Sequence, residues 1–216
     1  MTGRRLPSTA SVAQAQEGDK LHAPAAARNA QAIIDLLSRV APPSGTALEL
    51  ASGTGQHVVQ FAEALPRLRW QPTEVASDRL KSIAAYRAET GLGTILPPLR
   101  LNATEQGWGV AHAADLIVLI NLSHLISESE VKTLFKEAAR ALRPGGQFVL
   151  YGPFMRNGQL ISDGDRSFHE SLTASDPDIG YKNDVDVADW MADAGLSLAE
   201  TVEMPANNLA LIAKLA

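Results

Sequence analysis

An α/β fold with a mostly parallel sheet and helices on both faces is predicted by three features of the sequence. Strand-like and helix-like segments alternate along most of the chain, which is typical of parallel sheets with right-handed crossovers. The strand candidates are short, continuous apolar runs such as 116–120, as expected for strands that are buried on both faces. A turn with two glycines, at 51–55, joins the first of these strands to a helix.

The elements are expected in a regular order along the chain. Strands are expected at 46–50, 68–71, 99–101, 116–120, 147–151, 196–203 and 209–214. Helices are expected from Pro24 to just before Pro42, from 58 to 65, around 80–86, at 130–142 and at 185–194. The connector 204–208 is short enough to make the last two strands an antiparallel pair.

The chain divides into a short leader and one domain. Residues 1–20 are rich in Ser, Gln, Gly and Ala and lack hydrophobic periodicity, so we expect a mobile leader there. Residues 21–216 are expected to form a single domain, because a chain of this length can bury one continuous core.

Composition narrows the classes of function. The net charge is −5 and the basic residues are scattered, so nucleic acid is not an expected partner. The chain has no cysteine, which excludes disulfides, thiolate metal sites and a cysteine nucleophile. The N-terminal residues lack the apolar segment of a secretory signal, and no apolar run is long enough to cross a bilayer. We therefore expect a cytoplasmic monomer or homodimer without membrane association.

The most informative motif is the glycine turn, defined as residues 51–55. Gly53 and Gly55 let the backbone approach a ligand closely, and the following helix offers free N–H groups. Dinucleotide-binding turns have a third glycine three residues later, but that position is Val58, which argues against NAD and FAD. The turn suits S-adenosylmethionine, whose carboxylate the backbone can hold while Glu49 lies near its ammonium.

Three polar residues are expected at one edge of the sheet. Glu74 is expected at the end of the second strand, where its carboxylate can accept hydrogen bonds from both ribose hydroxyls. Asn102 and Asn121 end the third and fourth strands, next to the expected positions of the adenine and of the methyl group. Structural alternatives exist: an ordinary tight turn at 51–55, a helix-capping Glu74, and asparagines that only form turns.

The candidate catalytic groups follow the first, fourth and fifth strands. Methyl transfer from a sulfonium depends mainly on proximity and orientation, so a general base is optional. If the acceptor must lose a proton, His124 is the preferred base over His57. Tyr151 is expected in the wall of the acceptor pocket. Structural roles are the alternative for all three side chains. The sequence contains no zinc or calcium motif.

Several motifs resemble those of class I S-adenosylmethionine-dependent methyltransferases, namely residues 49–55, Asn121 and 142–146. A narrower resemblance is to the methyltransferase-like protein 26 family, a domain of unknown function. It rests on Ala51-Ser-Gly-Thr-Gly-Gln-His57, Trp70-Gln-Pro72, Tyr151-Gly-Pro-Phe154, Asn157-Gly158 and Met204-Pro-Ala-Asn-Asn208. The resemblance runs from about Ala25 to the end of the sequence.

The resemblance implies a Rossmann-like three-layer sandwich with a seven-stranded sheet of order 3-2-1-4-5-7-6, the last strand antiparallel. It implies S-adenosylmethionine as cofactor and S-adenosylhomocysteine as product. The expected cofactor contacts are Arg28, Asn29, Glu49, Ala51, Ser52, Gly53, Gly55, His57, Glu74, Asn102, Ala103 and Asn121. The expected substrate contacts are Asn121, His124, Tyr151 and Asn208, with His124 and Tyr151 as the catalytic candidates.

This chain departs from the pattern of that family at three places. Glu74 and Asn102 stand where the family commonly has aspartate, and Ile179-Gly180 stands where it has Trp-Gly. The second change replaces a charged contact by a neutral one, and the third bears on the acceptor pocket. The family also has an Arg-Asn pair like Arg28 and Asn29, so an N-terminal arm is expected to fold over the cofactor.

The leading hypothesis from the sequence is a methyltransferase that acts on a small-molecule acceptor, whose identity the sequence does not give. The alternative is a non-catalytic protein of the same fold that binds S-adenosylmethionine or serves as a scaffold. A nucleotide-dependent oxidoreductase is disfavoured by the missing third glycine.

Overall fold

A central sheet with helices on both faces organises the protein, whose computed structural model describes residues 6–8 and 10–215. The strands are β1 (Gln14–Ala15), β2 (Leu21–His22), β3 (Gly45–Leu50), β4 (Leu68–Glu74), β5 (Leu99–Arg100), β6 (Ala114–Ile120), β7 (Leu142–Met155), β8 (Lys182–Asn183), β9 (Leu196–Met204) and β10 (Asn208–Leu215). The helices are α1 (Pro24–Val40), α2 (Gln56–Ala64), α3 (Ser77–Thr90), α4 (Glu128–Ala141), α5 (Asp163–Ser175) and α6 (Asp184–Asp193).

The strand order of the sheet is β5-β4-β3-β6-β7-β10-β9, and β8 adds a short parallel pairing at the end of β7. Strands β5, β4, β3, β6 and β7 run parallel, whereas β10 is antiparallel to both β7 and β9. Numbered along the chain without β1, β2 and β8, this is the predicted order 3-2-1-4-5-7-6. The predicted α/β fold class, with its antiparallel last strand, is therefore confirmed.

Strand β3 is buried on both of its faces and divides the core in two. Ala47 belongs to the hydrophobic cluster that includes residues of α1 and α2. Leu48 and Leu50 belong to the opposite cluster, which includes residues of α4 and α6. Because successive side chains of a strand alternate between its faces, Glu49 shares the face of Ala47. A carboxyl group thus lies at the end of an otherwise apolar face.

The carboxyl ends of the parallel strands meet at one edge of the sheet. Strand β3 ends at Leu50, β4 ends at Glu74, and β6 ends at Ile120, which pairs with Tyr151 of β7. Ligands of open α/β sheets bind outside this edge, in the crevice where the strand order reverses. The fold therefore brings the residues singled out in the sequence to the edge where ligands bind.

Helix α5, strand β8 and the hairpin of β1 and β2 were not predicted from the sequence, and β7 is longer than predicted. The stretch after β7, for which the sequence predicts no element, forms α5 and then β8. The signal for α5 is the reciprocal cap between Ser162 and Asp165. Residues 143–146, expected to be a turn outside the strand, lie within β7 as an irregularity between the pairs formed by Leu142 and Gln147.

The described part of the predicted leader contains a hairpin of β1 and β2. The hairpin is fixed to α3 at Leu21, whose N–H donates to Ser82 Oγ (2.9 Å) and whose carbonyl accepts from the Tyr86 hydroxyl (3.1 Å). The sequence did not predict this hairpin, and the mobility of the leader stays a prediction. Residues 1–5 and 9 of the leader lie outside the described residues.

Within residues 6–8 and 10–215, no helix is both long and apolar enough to span a bilayer. The same part of the chain holds no group of three or more His, Asp or Glu side chains arranged to bind a metal ion. The cytoplasmic location, the oligomeric state and the boundary of the domain stay predictions.

Asp165 joins α5 to two other segments of the chain. Its Oδ1 accepts a hydrogen bond from the Tyr181 hydroxyl (3.1 Å), and its Oδ2 accepts one from the Asn207 amide (3.0 Å). Oδ2 also accepts from the N–H of Ser162 (3.1 Å). The side chain is buried, so these donors replace water around the carboxylate. One residue therefore joins α5 to the segment just before β8 and to the turn between β9 and β10.

Replacing Asp165 by alanine is expected to lower the free energy of unfolding by about 2–3 kcal/mol, because the cap of α5 and the acceptor for Tyr181 are both lost. Asp163→Ala is the matched control in the same helical turn, since that side chain is 96% exposed. Its loss should change the stability by less than about 0.5 kcal/mol. Urea unfolding followed by circular dichroism measures both, and equal effects would contradict the anchoring role of Asp165.

Candidate functional site

The glycine turn has a backbone conformation that few side chains tolerate. The φ angle is 51° at Ala51, 59° at Gly53 and 91° at Gly55. A Cβ added to Gly55 would lie 2.9 Å from the Cα of Ile83 in α3, which is closer than backbone atoms permit. Residue 55 must therefore be glycine both for its φ angle and for the close packing of the turn against α3.

Thr73 and Ser52 fasten the glycine turn to the end of β4. The N–H of Ser52 donates to the Thr73 carbonyl (2.7 Å), and the N–H of Thr73 donates to Ser52 Oγ (3.1 Å). The Thr73 hydroxyl also donates to the Glu49 carbonyl (2.9 Å). The sequence analysis missed Thr73, because a threonine in a buried strand has no pattern that sets it apart from any other β-branched residue.

Glu74 lies directly beside the glycine turn, as the sequence predicts for the acidic partner of the motif. The N–H of Gly53 donates to Glu74 Oε2 (3.1 Å). The other oxygen, Oε1, accepts from the N–H groups of Val75 (2.7 Å) and Ala76 (3.3 Å) just before α3. The capping role weighed as an alternative is thus present together with the contact to the turn. A carboxylate has about four acceptor positions, so one position on Oε2 is left for a further donor.

Glu49 is a buried carboxyl group with an incomplete set of partners. Its exposed fraction is 2%. Among the described residues, Oε2 has no hydrogen-bond partner. Burial raises the pKa of Glu49 to about 8, against the opposing effect of a hydrogen bond from Ser52 and with a further rise from the nearby charge of Glu74. At neutral pH the carboxyl group is therefore mostly protonated.

A small pocket, with a cavity volume of about 20 Å³, opens beside Glu74, between the ends of β4, β5 and β6. It is lined by Ala51, Glu74, Val75, Leu101, Asn102, Ala103, Thr104 and Leu122. The walls are therefore mainly apolar, with one carboxylate and a few polar groups at the rim. Flat, mostly apolar ligands with a small number of polar groups fit pockets of this composition.

Asn102 forms a turn at the rim of this pocket. Its Oδ1 accepts hydrogen bonds from the N–H of Thr104 (3.1 Å) and from the Thr104 hydroxyl (2.8 Å), and its amide donates to Glu105 (3.0 Å). The turn-forming alternative is what the structure shows for this side chain. Its contact with an adenine stays a prediction.

Asn29 links two further candidates on the face of the sheet covered by α1 and α2. Its Oδ1 lies 2.8 Å from Nε2 of His57, and it also hydrogen-bonds the Tyr151 hydroxyl. His57 stacks on Phe61, and burial lowers the pKa of His57 to about 4, so the ring is neutral at neutral pH. Burial raises the pKa of Tyr151, which keeps its phenol protonated. Arg28, the neighbour of Asn29, is exposed on α1.

His124 lies in a short 3-10 turn, Ser123–Leu125, just after β6. Its ring packs edge-on against Phe168 and Tyr181, and its exposed fraction is 4%. Among the described residues its Nδ1 has no hydrogen-bond partner, and neither has Ser123 Oγ. Burial, with a smaller effect of the charge on Lys182, lowers the pKa of His124 to about 3. The imidazole is therefore a weak base, which favours a structural role over proton abstraction.

The remaining two candidates lie on strand ends. Asn121 has a φ angle of 55° and donates its backbone N–H to the Tyr151 carbonyl (2.9 Å), so it bridges the ends of β6 and β7. The side chain of Asn208 donates to the carbonyls of Pro205 (2.9 Å) and Ala206 (3.2 Å) within its own turn. The side-chain amide of the neighbouring Asn207, in contrast, donates to Asp165 of α5. A contact between Asn208 and a substrate stays a prediction.

A family model described as "Protein of unknown function (DUF938)" matches residues 20–214. The chain belongs to this family. The match includes every residue of the glycine turn, Glu74 and the pocket, and all of the main sheet up to residue 214. The name of the DUF938 family specifies no activity.

Solved methyltransferases have the same fold as this DUF938 chain. An O-methyltransferase family protein from Burkholderia thailandensis has a TM-score of 0.75 at 18% identity, over 87% of this chain and 56% of that one. The mitomycin 7-O-methyltransferase MmcR has a TM-score of 0.75 at 14% identity, over 89% and 54%. CalO1, a methyltransferase in calicheamicin biosynthesis, was solved in an S-adenosylhomocysteine-bound form. It has a TM-score of 0.70 at 15% identity, over 89% of this chain and 54% of that one. This chain thus spans little more than half the length of these structures.

Replacing Gly55 by alanine is expected to destabilise the protein by about 2–3 kcal/mol, because the new Cβ both meets the backbone of Ile83 and strains a left-handed residue. Gly91→Ala is the matched control, since Gly91 has a φ angle of 64° but nothing within 4 Å of an added Cβ. Its cost should be about 1 kcal/mol, from strain alone. Urea unfolding measures the free energy of unfolding of both variants. Equal losses of stability would show that the packing of Gly55 against Ile83 does not contribute.

The buried neutral state of His124 predicts a pH dependence of stability. Because the folded pKa of about 3 lies below the ordinary value of 6.5, the contribution of this residue is complete above pH 6.5 and is lost as the pH falls toward 3. Between pH 6 and 4 the wild type should lose about 1 kcal/mol per pH unit more than His124→Phe, which keeps an aromatic ring but does not titrate. The midpoints of urea unfolding, measured for both proteins between pH 6 and 4, test this prediction. If the two proteins lost stability equally over this range, the buried neutral state of His124 would be refuted.

Proposed function

We propose that this chain is an S-adenosylmethionine-dependent methyltransferase that acts on a small-molecule acceptor. The observation that carries the proposal is the contact between Glu74 and the N–H of Gly53, which brings an acidic strand end and a glycine turn to one wall of an apolar pocket. The fold shared with solved methyltransferases supports it. The narrower resemblance to the methyltransferase-like protein 26 family is part of the same proposal.

The residues present fit the polar groups of S-adenosylmethionine. The buried Oε2 of Glu49 lacks a partner among the described residues, and an ammonium would supply one. The N–H groups of the glycine turn suit a carboxylate. Glu74 has an acceptor position left for a ribose hydroxyl, and the pocket lined by Leu101 and Ala103 suits a purine ring. Each of these four parts of the ligand has a chemically matched partner in this chain.

The contribution of the protein to the reaction is binding and orientation. S-adenosylmethionine supplies a methyl group on a sulfonium that is already activated for displacement. The glycine turn and Glu74 hold two ends of the ligand, which fixes the direction of the methyl group. Asn121 and Tyr151, at the neighbouring ends of β6 and β7, are assigned to the acceptor side. No proton transfer is assigned to His124, because burial lowers its pKa too far for an efficient base.

A non-catalytic protein that binds S-adenosylmethionine is the second candidate. The observation in its favour is the burial of His124 beneath Phe168 and Tyr181, which leaves the preferred catalytic side chain without access to solvent. Binding of the cofactor without methyl transfer to phenols, carboxylates and amines would favour this candidate. Turnover of any member of such a panel would favour the enzyme.

Isothermal titration calorimetry with S-adenosylhomocysteine tests the proposal. The wild type should bind it, and Glu74→Ala should weaken binding at least tenfold, because the ribose acceptor and the hydrogen bond to Gly53 are both lost (about 1.4 kcal/mol or more). Glu89→Ala is the control: this exposed glutamate of α3 pairs with Lys20 and should leave the affinity unchanged.

The same titration with NADH separates the proposal from an oxidoreductase, and no binding is expected. Failure of S-adenosylhomocysteine and S-adenosylmethionine to bind the wild type at millimolar concentration would overturn the proposed function.

A further inference from the structure

Two carboxyl groups at the candidate site lie close enough to interact electrostatically, and they differ in their hydrogen-bond partners. Glu74 accepts three backbone N–H bonds at the end of β4. Glu49 is 2% exposed, and its Oε2 has none among the described residues. An ionised carboxylate without donors is costly away from water. Ionisation of Glu49 in the free protein is therefore unfavourable.

Among the described residues, no positively charged group favours ionisation of Glu49. The charged group that acts on it is Glu74, which has the same sign and disfavours a second negative charge. From α2, His57 is neutral at neutral pH, since burial lowers its pKa to about 4. From β7, Tyr151 keeps its proton because burial raises its pKa. From α1, Arg28 is exposed to solvent. The hydrogen bond from Ser52 is the favourable contact that remains, and burial outweighs it.

We propose that Glu49 carries a proton in the free protein and releases it to solvent when the ammonium of a ligand binds beside Oε2. The proposal rests on the proposed function and deepens it, since it makes Glu49 the residue that selects ligands with a cationic amine. The step is balanced: the O–H bond of the carboxylic acid breaks, the proton leaves to buffer, and the carboxylate so formed pairs with the ammonium. No other bond changes.

Because ligand binding releases a proton from Glu49, the affinity for the ligand depends on pH. Binding that releases a proton becomes tighter as the pH rises toward the pKa of the group, here about 8. The affinity for S-adenosylhomocysteine should therefore rise about tenfold between pH 6 and 7, a range in which the amine of the ligand stays charged. The titrations of His57 and Tyr151 lie outside this range, so neither residue produces the same slope.

Calorimetry in two buffers of different ionisation enthalpy measures the proton directly. At pH 7, titration of the wild type with S-adenosylhomocysteine in phosphate and in Tris should show release of close to one proton per ligand. Glu49→Gln is the matched variant, because the amide has the same shape and cannot ionise. It should bind more weakly and release no proton. Proton release that persists in Glu49→Gln would overturn the proposal.

A second ligand keeps the test independent of that variant. 5′-Methylthioadenosine has the nucleoside but no ammonium, so the wild type should bind it without proton release and with the same affinity at pH 6 and 7. Infrared difference spectra should show the carboxylic-acid carbonyl band of Glu49 disappearing with S-adenosylhomocysteine and persisting with 5′-methylthioadenosine. Binding of S-adenosylhomocysteine without proton release overturns this proposal alone. Failure of both ligands to bind overturns the proposed function and this proposal with it.

Discussion

The hydrogen bonds that join the glycine turn to the end of β4 are the constraint on which the site depends. Ser52 and Thr73 exchange two bonds across the strands, and Gly53 extends the connection to the Glu74 carboxylate. These bonds hold a strained, left-handed backbone in a single conformation. Helix α3 packs against this turn, and its residue Ile83 leaves room only for a glycine at position 55. The shape of the candidate site is therefore set by contacts within the protein.

The parallel sheet explains why this constraint creates a site. Strands β3, β4, β6 and β7 end at one edge, so polar residues far apart in the sequence become neighbours there. The core beneath is apolar on both faces of β3, and its low polarity is what alters the titration of Glu49 and His57. The pKa values of these two side chains are thus shifted because both lie at the border of the apolar core.

Much of the fold could be predicted from the sequence, because strongly periodic segments and glycine turns carry local signals. The glycine turn and the position of Glu74 at a strand end are of this kind, whereas the order of the strands was implied by the resemblance to methyltransferases. Helix α5 escaped because its apolar face is short and acidic residues dominate it, although Ser162 and Asp165 form a recognisable cap. The hairpin of β1 and β2 escaped because two-residue strands have no period to detect.

The site was harder to predict than the fold, because side-chain partners depend on tertiary contacts. Burial of His124 beneath Phe168 and Tyr181 arises from α5 and β8, two elements that the sequence did not reveal. The inward reach of Asn207 and the outward turn of Asn208 depend on left-handed backbone angles within one short connector. No pattern of residue types distinguishes two adjacent asparagines in this way.

The hairpin at the start of the described chain has a consequence for the glycine turn. Ser82 Oγ accepts from the N–H of Leu21 and donates to the Thr54 carbonyl (2.7 Å), so one hydroxyl connects the hairpin to the turn. Gln56 makes a parallel connection between Ala23 and the Thr54 hydroxyl. The conformation of the glycine turn therefore depends in part on the segment between the hairpin and α1, which precedes it in the sequence.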